Sequence, residues 1–208
     1  MLVSVGGVKE IEDVLTALRV SGRFDPTWLL LLHGALPPVE QRRIFESPPP
    51  GVTKVVVAMN VAETSITIPD VAFVINAGRV KEERHDSMRH TASLDDVCVS
   101  AVSAKQRRGR ASRVRLGLAV HPFPRDAPLE DHAEPEVRRV ALKQLVLRLK
   151  ALLEGVVLGR TAAKDCAALP EPLESAAVAR AASGLASIGA LTARRYFTST
   201  YRICCLEW

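Results

Sequence analysis

Short runs of consecutive apolar residues constrain the fold of this chain more than any other feature of its sequence. A strand that is buried on both faces shows no polar alternation, and such strands belong to parallel sheets that helices cover on both sides. Helical spacing of apolar residues from Val8 to Leu18 separates the first two runs. The sequence therefore predicts an α/β domain built around an open parallel sheet. The runs are Met1–Val5, WLLLLHG at 28–34, VTKVVVA at 52–58, VAFVIN at 71–76 and LGLAVHPF at 116–123.

The stretch from Arg79 to Val102 has a different character. RVKEERHD and DDVCVSAVS are more polar but still favour strands, with a short link between them. This pattern predicts an antiparallel hairpin that protrudes from the sheet. Cys98 alternates like an inward-facing strand residue, so it is expected in the core.

A second, helical unit is predicted to begin near Glu134. EPEVRRVALKQLVLRLKALLEG carries one apolar stripe and ends at Gly155, which predicts a single helix. An alanine-rich helix is expected over about 173–188. We assign residues 1–130 to the sheet domain, 131–192 to the partial helical domain and 193–208 to an atypical tail.

Composition limits the partners and the compartment. The net charge is +5 and only 4% of residues are aromatic, so a polyanion is permitted as partner while base stacking is not a main device. No apolar run is long enough for a signal peptide or a membrane span, and we expect an intracellular protein, cytoplasmic or nuclear. The four cysteines lack metal-ligand spacing, and no metal site is expected. They are Cys98, Cys166, Cys204 and Cys205.

The segment AMNVAETSITIPD at 58–70 follows a predicted buried strand. Ligands of open parallel sheets bind beyond the carboxyl ends of the strands, where small hydroxyls and backbone N–H groups can hold phosphate. The alternative is a capped turn in which Thr64 or Ser65 caps a helix. The residues themselves leave both interpretations open.

The segment SAKQRRGRASRV at 103–114 is strongly basic. In a helix capped by Ser103, a row along one side is formed by Gln106, Arg110 and Arg113, while Arg107 and Arg108 point elsewhere. Arginine suits phosphate because its planar fork keeps its charge and binds bidentately. Gly109 and Ala111 would leave this surface thin enough for another domain to approach. A localisation signal and an ordinary solvated face are the competing interpretations.

Taken together, these segments resemble the second RecA-like domain of the DEAH-box/RNA-helicase-A family of superfamily 2. KVVVAMNVAETSITIPDV resembles motif V, SAKQRRGRASRV resembles motif VI, and LLLLHGALPPVEQRRIF resembles the motif IV region. The helices after residue 134 are similar to the start of the winged-helix region. The resemblance covers about residues 2–192. It implies a RecA-like, P-loop NTPase-type α/β fold with helices on both faces, a protruding β-hairpin and a partial winged-helix segment.

The resemblance also implies roles for particular residues. Gln106, Arg110 and Arg113 match motif VI positions that reach the γ-phosphate of ATP, the two arginines as arginine fingers. The nucleotide would be ATP with Mg²⁺, held mainly by a first RecA-like domain in cis or in trans, and the polymer would be single-stranded RNA bound through its backbone. The ATP-binding positions in motif V are Ser65, Thr67 and Asp70, and the RNA-binding positions are Met59, Asn60 and Thr64.

Three departures from the family pattern bear on activity. Met59 replaces the usual Thr and cannot donate to phosphate through its side chain. Ser112 replaces a glycine and is expected to crowd the two arginines. The chain contains neither G-x-x-x-x-G-K-[ST] nor D-E-A-H. We therefore expect the C-terminal half of an ATP-dependent RNA helicase that is inactive alone, and the alternative is a non-catalytic RNA-binding or interaction module derived from one.

Overall fold

The computed structural model describes residues 1–60, 66–86, 91–113, 116–153, 166–167 and 172–191. The chain forms two compact units. The first comprises 1–82 and 94–133, and the second comprises 83–93 and 134–208.

Five strands of the first unit form one parallel sheet, as the apolar runs predict. They are β1 (Leu2–Ser4), β2 (Leu29–Leu32), β3 (Val55–Ala58), β4 (Phe73–Asn76) and, after the hairpin described below, β7 (Leu118–Val120). The order across the sheet is β2-β3-β1-β4-β7, and every pairing is parallel. Because all the strands run the same way, the loops that follow them meet at one edge.

Both faces of this sheet are buried, which explains why its strands lack alternation. Along β3, Val56 and Ala58 belong to one apolar cluster, while Val55 and Val57 belong to a second cluster on the opposite face. The second cluster also contains Ile11 and Leu15 of helix α1 (Val8–Ser21). Burial on both sides makes the sheet a rigid base for the loops at its carboxyl edge.

Further helical segments of this unit lie between its strands. Helix α2 (Pro38–Arg42) begins with a proline in its first turn, where proline is tolerated, and passes into a 3₁₀ turn at Arg43–Phe45. Another 3₁₀ turn, Pro26–Trp28, precedes β2. Helix α3 (Ala101–Gly109) passes into the 3₁₀ segment Arg110–Ser112.

The predicted hairpin is present as β5 (Arg79–Asp86) and β6 (Thr91–Cys98), a separate two-stranded sheet. Its base is tied down by an ion pair between Arg79 Nη2 and Asp96 Oδ2 at 3.1 Å. A second ion pair joins Lys81 Nζ to Glu10 Oε1 at 3.1 Å. The expectation that Cys98 lies in the core is wrong, since it is exposed and accepts a hydrogen bond from Arg79 at its Sγ.

The second unit contains α4 (Glu136–Arg139), α5 (Leu142–Leu153) and α6 (Ser175–Ser187). The prediction of a single helix across 134–155 is wrong, because Val140 is extended (φ −93°, ψ 165°) and separates α4 from α5. A β-branched residue favours extended backbone, which fits this position. The alanine-rich helix is confirmed, and Val178, Ala182 and Leu185 on it pack in a cluster with Val146 of α5. The tail predicted at 193–208 lies outside the described residues.

Within the part of the chain that the structure describes, no helix combines the length and the apolar character needed to cross a membrane.

Candidate nucleotide and RNA site

Helix α3 starts earlier than the sequence indicates. Its cap is Ser100, whose hydroxyl accepts a hydrogen bond from the backbone N–H of Ser103 at 3.2 Å, so the prediction of Ser103 as the cap is wrong. Ser103 lies inside the first turn and its N–H is one of the donors that a cap satisfies. The inward side of this helix is set by Ala104 and Arg107, both buried.

Two of the three predicted motif VI residues meet on one short segment. Arg110 donates from Nη1 to the carbonyl oxygen of Ile66 at 2.7 Å, and Arg113 donates from Nη1 to Oγ1 of Thr67. The 3₁₀ segment explains the alignment, since residues i and i+3 eclipse in that conformation. Arg110 is buried at 7% exposure, whereas Arg113 is exposed.

Gln106, the third predicted residue, is exposed on α3. Gly109 also faces open space, because a Cβ built there would meet no atom within 4 Å. Ala111 is buried at 2% exposure and packs in the core, so the prediction that it thins the surface is wrong. Ser112 is exposed, and its effect on the two arginines stays a prediction.

Arg107 occupies the centre of a buried polar cluster that the sequence analysis did not predict. The residue is 2% exposed, and among the described residues its guanidinium donates to Asn76 Oδ1 at 2.9 Å, the Arg79 carbonyl at 3.2 Å and Asn60 Oδ1 at 3.1 Å. Asn60 follows β3, Asn76 ends β4 and Arg79 begins the hairpin. One side chain therefore joins three elements at the carboxyl edge of the sheet.

The Asn76 side chain fixes the orientation of its neighbours. Its Oδ1 accepts from Arg107 and from the backbone N–H of Gly78 at 3.0 Å, so its Nδ2 must be the atom that lies 3.2 Å from His121 Nδ1. An amide nitrogen only donates, and His121 Nδ1 therefore accepts, which leaves its proton on Nε2. Burial, helped by the positive charge of Arg108, lowers the pKa of His121.

Gly78 belongs to this cluster, and there is a steric reason for a glycine at its position. Gly78 has φ +76°, and a Cβ there would lie 2.6 Å from the ring of Phe123. That ring stands edge-on to His121, with 5.2 Å between centroids. The β4–β5 connection thus closes only with glycine.

The predicted RNA-binding residues divide into three cases. Asn60 is exposed to solvent, and its Oδ1 accepts a hydrogen bond from Arg107. Met59 is half-buried and packs against the apolar cluster on the α1 side of the sheet, so its backbone is the polar part of that residue. Thr64 and the predicted ATP-binding Ser65 lie outside the described residues.

Asp70 pairs with a buried lysine at the amino ends of strands β3 and β4. Its Oδ1 is 2.9 Å from Lys54 Nζ. Asp70 precedes β4 and Lys54 precedes β3, whereas Asn76 ends β4 and Asn60 follows β3. Lys54 is 4% exposed and also donates to the carbonyls of Ile44 and Glu46, each at 2.7 Å. In this unit Asp70 neutralises a buried lysine.

Arg107, Asn76, His121 and Lys54 are the polar residues that sequence reasoning missed. A usable signal existed for Arg107, because Ala104, Arg107 and Ala111 share the helical spacing of an inward face. Asn76 ends an apolar run, but nothing local to the sequence indicates its three partners. Among the described residues, no three His, Cys, Asp or Glu side chains cluster in a way that could hold a metal ion.

Comparison with known proteins identifies the domain. The family model for the helicase conserved C-terminal domain matches residues 2–115. The chain is 38% identical over 197 residues to the DExH-box ATP-dependent RNA helicase DExH1 of Arabidopsis thaliana, covering 92% of this chain and 19% of the relative. It is 38% identical over 186 residues to DExH3 of the same plant, with coverage of 88% and 15%.

An animal relative gives the same result. The ATP-dependent DNA/RNA helicase DHX36 of Homo sapiens is 39% identical over 150 residues, which is 71% of this chain and 15% of that protein. The chain thus spans less than a fifth of the length of these curated relatives. Its parallel sheet and its family match agree with the RecA-like fold that the sequence predicts. The chain therefore belongs to the helicase conserved C-terminal domain family and carries the C-terminal helicase domain of the DExH-box RNA helicases.

Proposed function

We propose that this chain supplies the second RecA-like domain of an ATP-dependent RNA helicase, with Arg110 and Arg113 as arginine fingers. The observation that supports this most strongly is the convergence of both guanidinium groups on the two-residue segment Ile66–Thr67. Arginine fingers act by stabilising negative charge that develops on phosphoryl oxygens. Two aligned arginines beside the motif V segment are suited to that task.

The residues present fit a phosphate-bearing ligand. Arg113 is exposed, and its guanidinium is oriented by a neutral hydroxyl that leaves its charge available. Arg110 is held by a carbonyl group, and Gln106 offers an amide donor on the surface of α3. ATP with Mg²⁺, when bound, supplies the phosphoanhydride bond that is hydrolysed. Ser65 and Asp70 stay predictions as ATP-binding residues, and Asp70 is the weaker of them because it is paired with Lys54.

RNA contact is proposed for the loop that follows β3. The exposed Asn60 amide and the backbone of Met59 would hold phosphate and sugar groups, with Thr64 as a further candidate. Such contacts carry no sequence information, so binding would be sequence-independent. The net charge of +5 favours a polyanion.

A first RecA-like domain is the proposed partner, in cis or in trans. This sequence contains no phosphate-binding G-x-x-x-x-G-K-[ST] loop and no D-E-A-H. Those elements cradle the phosphates and hold Mg²⁺ in P-loop enzymes. Its curated relatives are also at least five times longer than the aligned segment.

The test is hydrolysis by reconstitution. Alone, the purified chain should release no phosphate from ATP, with or without single-stranded RNA. Adding a recombinant first RecA-like domain of a DExH-box helicase should give RNA-stimulated release. Arg110→Ala or Arg113→Ala should then lower kcat by about a thousandfold or more.

Arg108→Ala is the matched control, because it removes an exposed arginine from the same helix outside the proposed row. It should leave most of the reconstituted activity. Hydrolysis by the chain alone would contradict the need for a partner, and full activity of both finger variants would contradict their role.

A non-catalytic RNA-binding module is the second candidate. Met59 favours it, because a half-buried apolar side chain stands where the family has a hydroxyl donor. RNA binding without any hydrolysis in the reconstituted mixture would support this alternative.

A further inference from the structure

We propose that Arg107 is a positioning residue that orients the Asn60 amide toward RNA and links Asn60 to the helical segment that continues into Arg110 and Arg113. The inference rests on the proposed function in one respect, the contact between Asn60 and RNA. Arg107 is buried at 2% exposure, and its guanidinium donates to protein oxygens, so we infer that it does not itself reach a ligand.

The chemistry of the contact fixes the polarity of Asn60. A guanidinium group only donates, so the atom of Asn60 that faces Arg107 Nη2 at 3.1 Å is the carbonyl oxygen Oδ1. The amide nitrogen Nδ2 then faces away from Arg107 and carries two hydrogens. An outward donor attracts phosphate oxygens, whereas the reversed amide would present an oxygen to an anion.

The same guanidinium is anchored on its other side. Nη1 donates to Asn76 Oδ1 at 2.9 Å and to the Arg79 carbonyl at 3.2 Å, at the end of β4 and the start of the hairpin. Arg107 is therefore braced by the sheet while it holds the loop. A lysine could not reproduce this, because one ammonium group cannot span oxygens on both sides with a planar fork.

Arg107 also links the two proposed ligands along the chain. Arg110 and Arg113 follow it by one and two turns of the same helical segment. A displacement of Asn60 would act on Arg107 and so on the segment that presents the fingers. The geometry provides a direct connection between RNA contact and finger placement.

The experiment measures binding of a fluorescein-labelled oligouridylate by anisotropy at several salt concentrations, using the full chain. Arg107→Gln and Arg107→Lys should both weaken binding by roughly five- to tenfold, because each loses the oriented donor of Asn60. The salt dependence should be unchanged, since a phosphate contact from Arg107 would instead reduce the slope by about 0.7. Arg108→Gln, which removes the same charge one residue later, should weaken binding less.

A double-mutant cycle with Asn60→Ala distinguishes positioning from general damage. If Arg107 acts through Asn60, adding Arg107→Gln to Asn60→Ala should change affinity by less than about twofold. Additive losses, a reduced salt slope, or equal effects of Arg107→Gln and Arg108→Gln would each overturn the proposal. Arg107→Lys keeps the test decisive if the glutamine variant does not fold. Failure of the unsubstituted chain to bind at low salt would instead refute the RNA contact in the proposed function.

Discussion

Buried cations in this domain are stabilised largely by neutral oxygens. Lys54 has two backbone carbonyls and one carboxylate around its ammonium group, and Arg107 has two amide oxygens and a carbonyl around its guanidinium. Enclosing a charge costs free energy unless hydrogen bonds replace its hydration. Each of these side chains therefore fixes the position of the loops that provide its acceptors.

Replacing Lys54 should be costly for stability. Lys54→Met would leave the Ile44 and Glu46 carbonyls and the Asp70 carboxylate without their donor, and we expect the free energy of unfolding to fall by about 2–4 kcal/mol. Denaturation in urea, followed by circular dichroism, measures the change. Lys9→Met, on the exposed surface of α1, is the control and should shift it by less than about 0.5 kcal/mol.

His121 should make stability depend on pH. Its pKa is lowered in the folded state by burial and by Arg108, so the neutral form is preferred by the fold. Its contribution is complete above the ordinary histidine pKa of about 6.5 and is lost as the pH falls through the lowered folded value. Protonation of Nδ1 would also abolish its bond from Asn76.

The measurement is the free energy of unfolding between about pH 7 and pH 5. The loss on acidification should be smaller in His121→Gln than in the unsubstituted chain. His132→Gln, which removes an exposed histidine, should leave the loss unchanged. Identical pH profiles for the unsubstituted chain and His121→Gln would refute the assignment.

At the scale of single elements, two glycines, one at the end of helix α3 and one just before β7, differ in the space around them. Gly109 ends the helix beside open space, whereas a Cβ on Gly117 would lie 2.0 Å from the Ala111 carbonyl oxygen and 2.4 Å from that of Ala72. The site at Gly109 therefore tolerates an added methyl group. At Gly117, in contrast, the backbone packs directly against the backbone of Ala111 and Ala72, which leaves no room for one.

Alanine should therefore have opposite effects at these two glycines. Gly109→Ala should raise the free energy of unfolding by about 0.5–1 kcal/mol, because the unfolded chain loses freedom and the helical conformation is already adopted. Gly117→Ala should lower it by about 3 kcal/mol or more through overpacking against backbone. Thermal denaturation of both variants checks the pair, and equal signs would contradict the geometry.

Elements with continuous burial could be predicted from the sequence, whereas those that depend on distant partners could not. The sheet follows from apolar runs because both faces of each strand meet a core. The hairpin follows from its intermediate polarity. Three features could not be predicted in this way: the cap of α3, the break at Val140 and the burial of Arg107. They depend on residues far away along the chain, which a local sequence pattern does not reveal.

At the scale of the whole molecule, net charge is the property that can be read most directly from the sequence. The net charge of +5 favours association with any single-stranded polyanion, as do the exposed basic residues Lys105 and Arg108 of α3 and Arg113 beyond it. The candidate site, like the fold, could be predicted from the sequence only in part. The spacing of Arg110 and Arg113 predicts that they share one side, but their contacts with Ile66 and Thr67 and the Asn60–Arg107 contact required coordinates.

RNA binding by the chain should be salt-sensitive and tolerant of sequence. We expect oligouridylate and oligoadenylate of equal length to bind within about threefold of each other, because contacts go to the backbone. The logarithm of the affinity should fall linearly with the logarithm of salt concentration, by about 0.7 for each phosphate neutralised. Affinity that is flat with salt would contradict an electrostatic footprint.

The 3₁₀ segment Arg110–Ser112 also sets the reach of the helix end. Over three residues a 3₁₀ helix advances about 1.5 Å farther and winds about 60° more than an α-helix does. The additional rise and winding place the Arg113 side chain beside Thr67. A substitution at exposed Ser112 that favoured α-helical winding would swing Arg113 out of line with Arg110 while touching neither arginine.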